Sequence, residues 1–221
     1  MRITVTIGLV LAWVSLIVSA VPRQLKSQAP NDTGPTFSVR ELNYTYTSPY
    51  PSLRKIDFHN FSIHLGGNPA GVALKRGKYT GNDLQNHPFY EVGLDEVHYL
   101  TPSNESGAEY VLLRLYENDG EGAFNHERII QVLELSYQQL RIVQEIRVDE
   151  NHDGLHPAHP FNDKIKTLAL YSAHHVPGDA HCCVSAVDVL TFKWNGNRFI
   201  YTSTDTQLTE SGKLEGKKLS P

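Results

Sequence analysis

The sequence predicts a mainly β protein, built as one antiparallel β-sandwich or curled open sheet. Three observations predict it. The run from Glu109 to Val148 breaks into apolar pieces of strand length. The dipeptide Asn195-Gly196 separates two further pieces, and such pieces recur about eight times with turn residues between them.

Within the first run, Tyr110–Tyr116 is dense in Val, Leu and Tyr. It stops at Asn118-Asp119-Gly120-Glu121-Gly122, where glycine permits the positive φ of a tight reversal. Apolar density resumes at Phe124 and over Ile129–Leu135, and Ser136–Gln139 makes a polar break. In Leu140–Val148, Leu140, Ile142, Ile146 and Val148 share one parity, and Arg141, Glu145 and Arg147 the other. Period two with the charges on one side describes a half-buried strand. The competing reading is a helix over Arg128–Ile146, because Ile129, Leu133, Leu140, Val143 and Ile146 approximate a helical stripe. The β-branched content favours three strands.

Residues 1–20 have the form of a secretory signal. Arg2 supplies the positive start, Ile3–Ile17 an apolar run, and Val18-Ser19-Ala20 small residues at a cleavage position. That run is close to the lower length limit for a membrane span, so an uncleaved anchor is the alternative. No cysteine lies near Ala20 to carry a lipid. Residues 21–36 hold three prolines among small and polar residues and read as a flexible linker. The β-rich domain is expected over 37–204 and a flexible tail over 205–221.

Inside the domain, Phe37–Tyr50 reads as an extended lead-in or edge strand, cut by Pro49. Ile56–Ile63 alternates like a strand, Gly66–Pro69 breaks it, and Val72–Lys75 reads as its partner, ended by Gly77. Glu91–Leu100 alternates again. Long loops are expected over Asp149–Asp163 and His174–Ser185, with a strand at Ile165–Ala173 between them. Val187–Trp194 and Arg198–Tyr201 flank Asn195-Gly196, the pair most favoured in two-residue hairpin turns. Trp194, Phe199, Leu113, Leu115, Ile142 and Leu168 are the expected core.

Several motifs occur together: Ile56-Asp57-Phe58-His59-Asn60-Phe61, Leu74-Lys75-Arg76-Gly77-Lys78-Tyr79 and Gly120-Glu121-Gly122-Ala123-Phe124, then Cys182-Cys183, then Phe192-Lys193-Trp194-Asn195-Gly196-Asn197-Arg198-Phe199. In this order the chain resembles a group of uncharacterised bacterial exported β-rich proteins. Their pattern runs D-F-x-N-F, L-x-x-G-x-Y, G-G-x-G-x-F, C-C-P and Y-x-W-x-G-x-x-F. Some are described as similar to the LppP/LprE mycobacterial lipoproteins. Val184 stands where that pattern has proline, and Asn118-Asp119-Gly120 replaces a cleaner Gly-Gly. The resemblance implies an exported β-rich domain and carries over no catalytic residues.

The net charge is −4 and charged residues are 20% of the chain, so no basic field exists to hold nucleic acid. Asp149, Asn151 and Asp153, followed by Gly154, match the opening of a calcium loop. The twelfth position is Pro160 instead of a bidentate Glu, so a plain Asx-rich turn is the alternative. His152, His156 and His159 lie in one loop, and His174, His175, His181, Cys182 and Cys183 in the other. Were the loops to meet, imidazoles and thiolates could bind zinc or copper. Solvated loop histidines are the simpler reading. Adjacent Cα atoms lie about 3.8 Å apart, below the usual disulfide range of about 4.4–6.8 Å. A Cys182–Cys183 disulfide would therefore be a strained local turn, with buried thiols or a redox or metal site as alternatives.

Nucleophilic catalysis lacks a G-x-S-x-G elbow, and Ser172 with His174 and Ser185 with His181 carry no motif. Glu109, Glu117, Asp119, Glu121 and Asp188 are available acids, none singled out by sequence. Asn31, Asn43, Asn60 and Asn104 begin Asn-x-Ser/Thr triplets. The expectation is a non-catalytic binding or structural module of the cell envelope, periplasmic or extracellular. It would need no cofactor and would meet an envelope or extracellular protein or a small ligand. A metal-binding protein and a small secreted hydrolase are the alternatives.

Overall fold

A computed structural model of the chain describes residues 37–42, 44–66, 71–81, 90–102, 107–118, 126–149, 161–164, 166–174 and 186–208. Its centre is an antiparallel meander of four long strands: β6 (Tyr90–Leu100), β7 (Glu109–Asn118), β8 (His126–Ser136) and β9 (Gln139–Asp149). The segment Arg128–Ile146 is thus two paired strands and not a helix. β-branched and leucine side chains on both parities of β8 fit a strand covered on both sides.

Shorter strands complete this sheet. Among the earlier residues, β1 (Phe37–Arg40) and β2 (Thr45–Thr47) both pair with β9, while β5 (Lys78–Gly81) pairs with β6. The order is β1-β9-β8-β7-β6-β5, with β2 beside β1 on the same neighbour. A second sheet has the order β10-β11-β12-β13, from Phe161–Asn162, Thr167–His174, Ala186–Trp194 and Phe199–Leu208. The two sheets pack face to face. Tyr110, Leu112, Ile130, Val132, Ile146 and Val148 meet Leu168, Leu170, Leu190, Phe192, Trp194 and Phe199 in one apolar cluster. This is a sandwich. No helix among the described residues is long and apolar enough to cross a membrane.

The opposite face of the large sheet has its own apolar cluster. Val111, Leu113, Leu115, Ile129, Leu133, Leu140 and Ile142 lie under Leu53, Ile56, Phe58, Ile63, Leu65, Val72 and Leu74. The expected core residues therefore fall into two cores: Leu113, Leu115 and Ile142 here, and Leu168, Trp194 and Phe199 in the sandwich.

The cover over this second core corrects the strand expected at Ile56–Ile63. Leu53–Lys55 and Phe58–Asn60 are 3₁₀ turns, and only Ser62–Ile63 (β3) pairs, with Val72–Ala73 (β4). Local side-chain bonds outcompete the ladder. Ser52 Oγ accepts from Arg54 N, and Asp57 Oδ1 accepts from His59 N at 3.1 Å. Glu109 Oε2, on β7, accepts from Ser52 Oγ at 2.9 Å and from Leu53 N at 2.7 Å.

A bulge corrects the half-buried reading of β9. Val132 faces Gln144 and Leu133 faces Ile142, so Val143 is the extra residue. One extra residue reverses the facing of everything beyond it. Leu140 and Ile142 therefore join one core and Ile146 and Val148 the other, although all four share a parity in sequence. Glu145 and Arg147 consequently turn onto the covered face instead of toward solvent.

The hairpin between β12 and β13 forms, with Trp194 opposite Phe199. Its tip is set by Asn195, whose Oδ1 accepts from Asn197 N at 3.1 Å and Arg198 N at 3.0 Å. Gly196 takes φ +105°. Gly196-Asn197 thus forms the corner, one residue later than expected, and β13 runs to Leu208, past the boundary drawn at residue 204.

Candidate functional site

Polar groups gather on the covered face where the sheet register stacks them in rows. Gln131 and Arg40 both lie opposite Glu145, and Glu117 lies opposite Glu127. Arg147, one row between, lies opposite Ile129. These positions come from β7, β8 and β9, inside the sheet, and from β1 at its edge.

Arg147 bridges the rows. Its Nε donates to Glu145 Oε1 at 2.8 Å, and its Nη1 donates to Glu117 Oε2 at 2.7 Å and also to Glu127 Oε2. Burial opposes its charge, but the carboxylates of Glu145, Glu127 and Glu117 prevail and hold it protonated above the ordinary arginine range. Two glutamates directly opposite each other repel, and this guanidinium ties both. For Glu127, burial raises the carboxyl above the ordinary 4.5, with Arg147 pulling the other way. Tyr90 Oη donates to Glu117 Oε1.

Glu145 is fully buried. Besides Arg147, Gln131 Nε2 donates to its Oε2 at 2.8 Å and Gly66 N donates to the same oxygen at 3.2 Å. A Cβ at Gly66 would lie 2.5 Å from Glu145 Oε1 and 2.9 Å from Arg40 Nη1. Only glycine lets the main chain approach this closely.

Beside this saturated carboxylate, four buried polar atoms have no hydrogen-bond partner among the described residues: Arg40 Nε, Tyr46 Oη, His64 Nδ1 and Gln131 Oε1. Three of these residues, Gln131, His64 and Tyr46, are in contact. Gln131 Nε2 donates to His64 O at 2.7 Å, and the His64 ring stacks on Tyr44 and Tyr46 at centroid distances of 5.3 and 5.5 Å. Burial pushes the Tyr46 hydroxyl up to about 12, so it keeps its proton at neutral pH. Orphaned buried groups are rare, and each calls for an occupant or an ordered water.

No protein-family model, curated protein or solved structure matches this chain.

The residues singled out from sequence are distributed differently. His152, His156, His159, His175, His181, Cys182, Cys183, Asn151 and Asp153 lie outside the described residues. Asp149 ends β9 and His174 ends β11. Among the described residues no group of three or more His, Cys, Asp or Glu side chains is arranged to hold a metal ion. Of the acids considered for catalysis, Glu117 belongs to the Arg147 network, and Glu109 caps a 3₁₀ turn. Asp188 is buried and accepts from Thr206 Oγ1 at 2.5 Å. Asp119 and Glu121 lie outside the described residues.

Sequence reasoning passed over Arg40, Tyr46, His64 and Gln131. One signal was present: Gln131 interrupts the apolar run Ile129–Leu135, and a lone amide in a two-sided strand must be buried. The tyrosines and His64 carry no such mark, since only the folded cover brings them to the sheet.

A second ion network lies on the sandwich face, toward one end of β6–β8. Arg114 Nη2 meets Glu96 Oε1 at 2.8 Å, Arg128 pairs with Asp95, and His98 Nε2 lies 2.6 Å from Glu96 Oε2. Here the acids are matched by arginines, and Arg114 Nε lies 3.7 Å from Asp95 Oδ2.

Proposed function

We propose that this protein is an exported, non-catalytic binding module of the cell envelope, holding a small ligand against the covered face of its large sheet. The observation that carries this reading is the set of unpartnered polar atoms on Arg40, Tyr46, His64 and Gln131. Three of these side chains, on Arg40, Tyr46 and Gln131, sit on strands of the large sheet, and a rigid backbone is what a preorganised binding site needs. The leader-like residues 1–20 support export, and an antiparallel domain with apolar clusters on both sides of its main sheet supports a rigid scaffold.

Two measurements test it. Expression with residues 1–20 present should place the mature chain, beginning at Val21, in an exported fraction. Native mass spectrometry after incubation with envelope extract should then show one small adduct that denaturation releases. Retention in the cytosol with residues 1–20 intact overturns export. A bare-chain mass overturns the binding role, and turnover of an ester, peptide or glycoside by the pure protein overturns the non-catalytic one.

A further inference from the structure

We propose that the end of the large sheet carrying Tyr137 and Tyr50 docks an acidic polysaccharide, a chain of uronate-type sugars. The inference is independent of the small-ligand reading above and shares with it only the exported setting.

It starts from a strained turn. β8 and β9 are joined by Tyr137-Gln138, both left-handed at φ +49° and +61°. Asn-Gly would hold this turn without strain, yet its first position carries a tyrosine that is 93% exposed. A strained backbone that presents a large ring to solvent calls for a contact outside the chain. The turn is also pinned, because Ser48 is buried and its N–H donates to Gln138 O at 2.8 Å. Tyr50, 44% exposed, is fixed beside it. Its N–H donates to Ser48 Oγ at 3.1 Å, and Ser48 Oγ donates to its carbonyl at 3.0 Å. Two aromatic residues therefore stand on preset supports, so little conformational entropy is lost when their rings stack on a ligand.

The same end is cationic on an acidic protein. Glu109, which holds Ser52 and Leu53, lies opposite Leu135, two residues before Tyr137. This sets Arg54 and Lys55 at the level of the turn. Both are exposed, and neither is committed to an ion pair among the described residues. The Arg54 guanidinium lies over the Tyr99 ring, 4.4 Å from its centroid. Arg141, 52% exposed, adds a cation paired with Glu134 at 2.8 Å. The acids here, Glu109 and Glu134, already accept hydrogen bonds. The whole chain carries −4, so this end is opposite in sign to the rest and selects an anion.

The kind of anion follows from the neighbours. Thr45, Thr47, Gln138 and Gln139 are exposed beside the two tyrosines. The other exposed large hydrophobics among the described residues, Ile200 and Tyr201, lie on β13. A protein interface needs an apolar centre, and a lipid surface needs an apolar face to bury. Rings, hydroxyls, amides and cations instead match an acidic sugar chain. Its C–H faces stack on tyrosine, its hydroxyls bond to threonine and glutamine, and its carboxylates pair with Arg54 and Lys55.

Calorimetric titration of the purified mature chain with polygalacturonate tests this. Binding should be saturable, should weaken as salt rises, and should be absent for neutral dextran. Arg54→Gln with Lys55→Gln should weaken it by on the order of tenfold or more. Tyr137→Asn with Gln138→Gly removes the ring while relieving the turn. It should weaken binding on the order of tenfold while Tm rises, which separates lost binding from lost fold. The proposal is overturned if polygalacturonate does not bind, if dextran or polyglutamate binds as tightly, or if the turn variant binds as the wild type does. Binding to phosphatidylglycerol vesicles in place of polygalacturonate, or a dimer in sedimentation that the turn variant dissolves, gives this end another partner and overturns it too. The small adduct sought by native mass spectrometry reports on the covered face alone, so the two readings fail separately.

Discussion

The two faces of the large sheet are built from the same four strands and do opposite work. Toward the second sheet, Leu112, Ile130, Val132, Ile146 and Val148 pack on aromatic and aliphatic partners. The polar clamp there is self-contained: Gln144 Nε2 donates to Phe199 O, and Phe199 N donates to Gln144 Oε1, both at 2.8 Å. Toward the irregular cover, Glu145 and Gln131 interrupt the apolar surface, and Arg40, Tyr46 and His64 keep polar atoms without partners. A regular sheet opposite can satisfy every ladder group and fill every gap. A cover of 3₁₀ turns and a two-residue hairpin leaves such atoms unpaired. The Gln144 clamp satisfies its polar groups on the sandwich face, and the covered face does not satisfy all of its own.

Removing Arg147 should break the comparison most severely. Arg147→Ala leaves Glu145 buried and short of its cation, a change of about 3–5 kcal/mol, at least as costly as emptying the sandwich core with Leu112→Ala, at about 2–5 kcal/mol. Urea unfolding of both variants measures this. A milder loss for Arg147→Ala than for Leu112→Ala would mean water reaches Glu145, and the covered face is wetter than its packing implies.

The next effect is on the dry face. Gln144→Ala strands the Phe199 N–H and C=O inside the sandwich, at about 1–3 kcal/mol for each buried group left unsatisfied. Melting should fall by several degrees, about 2–4 °C per kcal/mol for a chain of this size. Little change would show that the two sheets are held by apolar burial alone.

How far these faces could be read in advance turns on Val143. The strand character of Leu140–Val148 was plain from its alternation, and the hairpin at Asn195-Gly196 from its turn residues. A bulge has no sequence signature of comparable strength. One inserted residue sent Glu145 and Arg147 to the covered side while leaving the alternation intact. The 3₁₀ turns at Leu53–Lys55 and Phe58–Asn60 were hidden for a related reason. Asp57 and Ser52 bond locally, while Ile56 and Phe58 mimic the spacing of a strand. The candidate site was therefore the least legible part, because Arg40, Tyr46, His64 and Gln131 come from four separate segments that only the cover and the register bring together.

A pH titration sharpens the comparison further. Burial raises Glu127 above 4.5 in the folded state, so its neutral form is the one the fold prefers. Its contribution to stability is then fully present below the unfolded value of 4.5 and is lost as pH rises through the raised folded value. Glu127→Gln should flatten that part of the stability–pH curve just above 4.5, read by urea unfolding at a series of pH values. An unchanged slope would show that Arg147 cancels the burial of Glu127 completely.

The smallest effect belongs to the β8–β9 turn, which joins the strands both faces share. Tyr137 and Gln138 have φ of +49° and +61°, and Tyr137 is 93% exposed. Two left-handed residues in a two-residue turn call for Asn-Gly, and here neither is glycine. Replacing the pair, Tyr137→Asn with Gln138→Gly, should stabilise the chain by about 1 kcal/mol through relieved backbone strain, measured as a higher urea midpoint at an unchanged slope. A loss of stability instead would show that the exposed Tyr137 ring packs on something, and that this end of the sheet is itself covered.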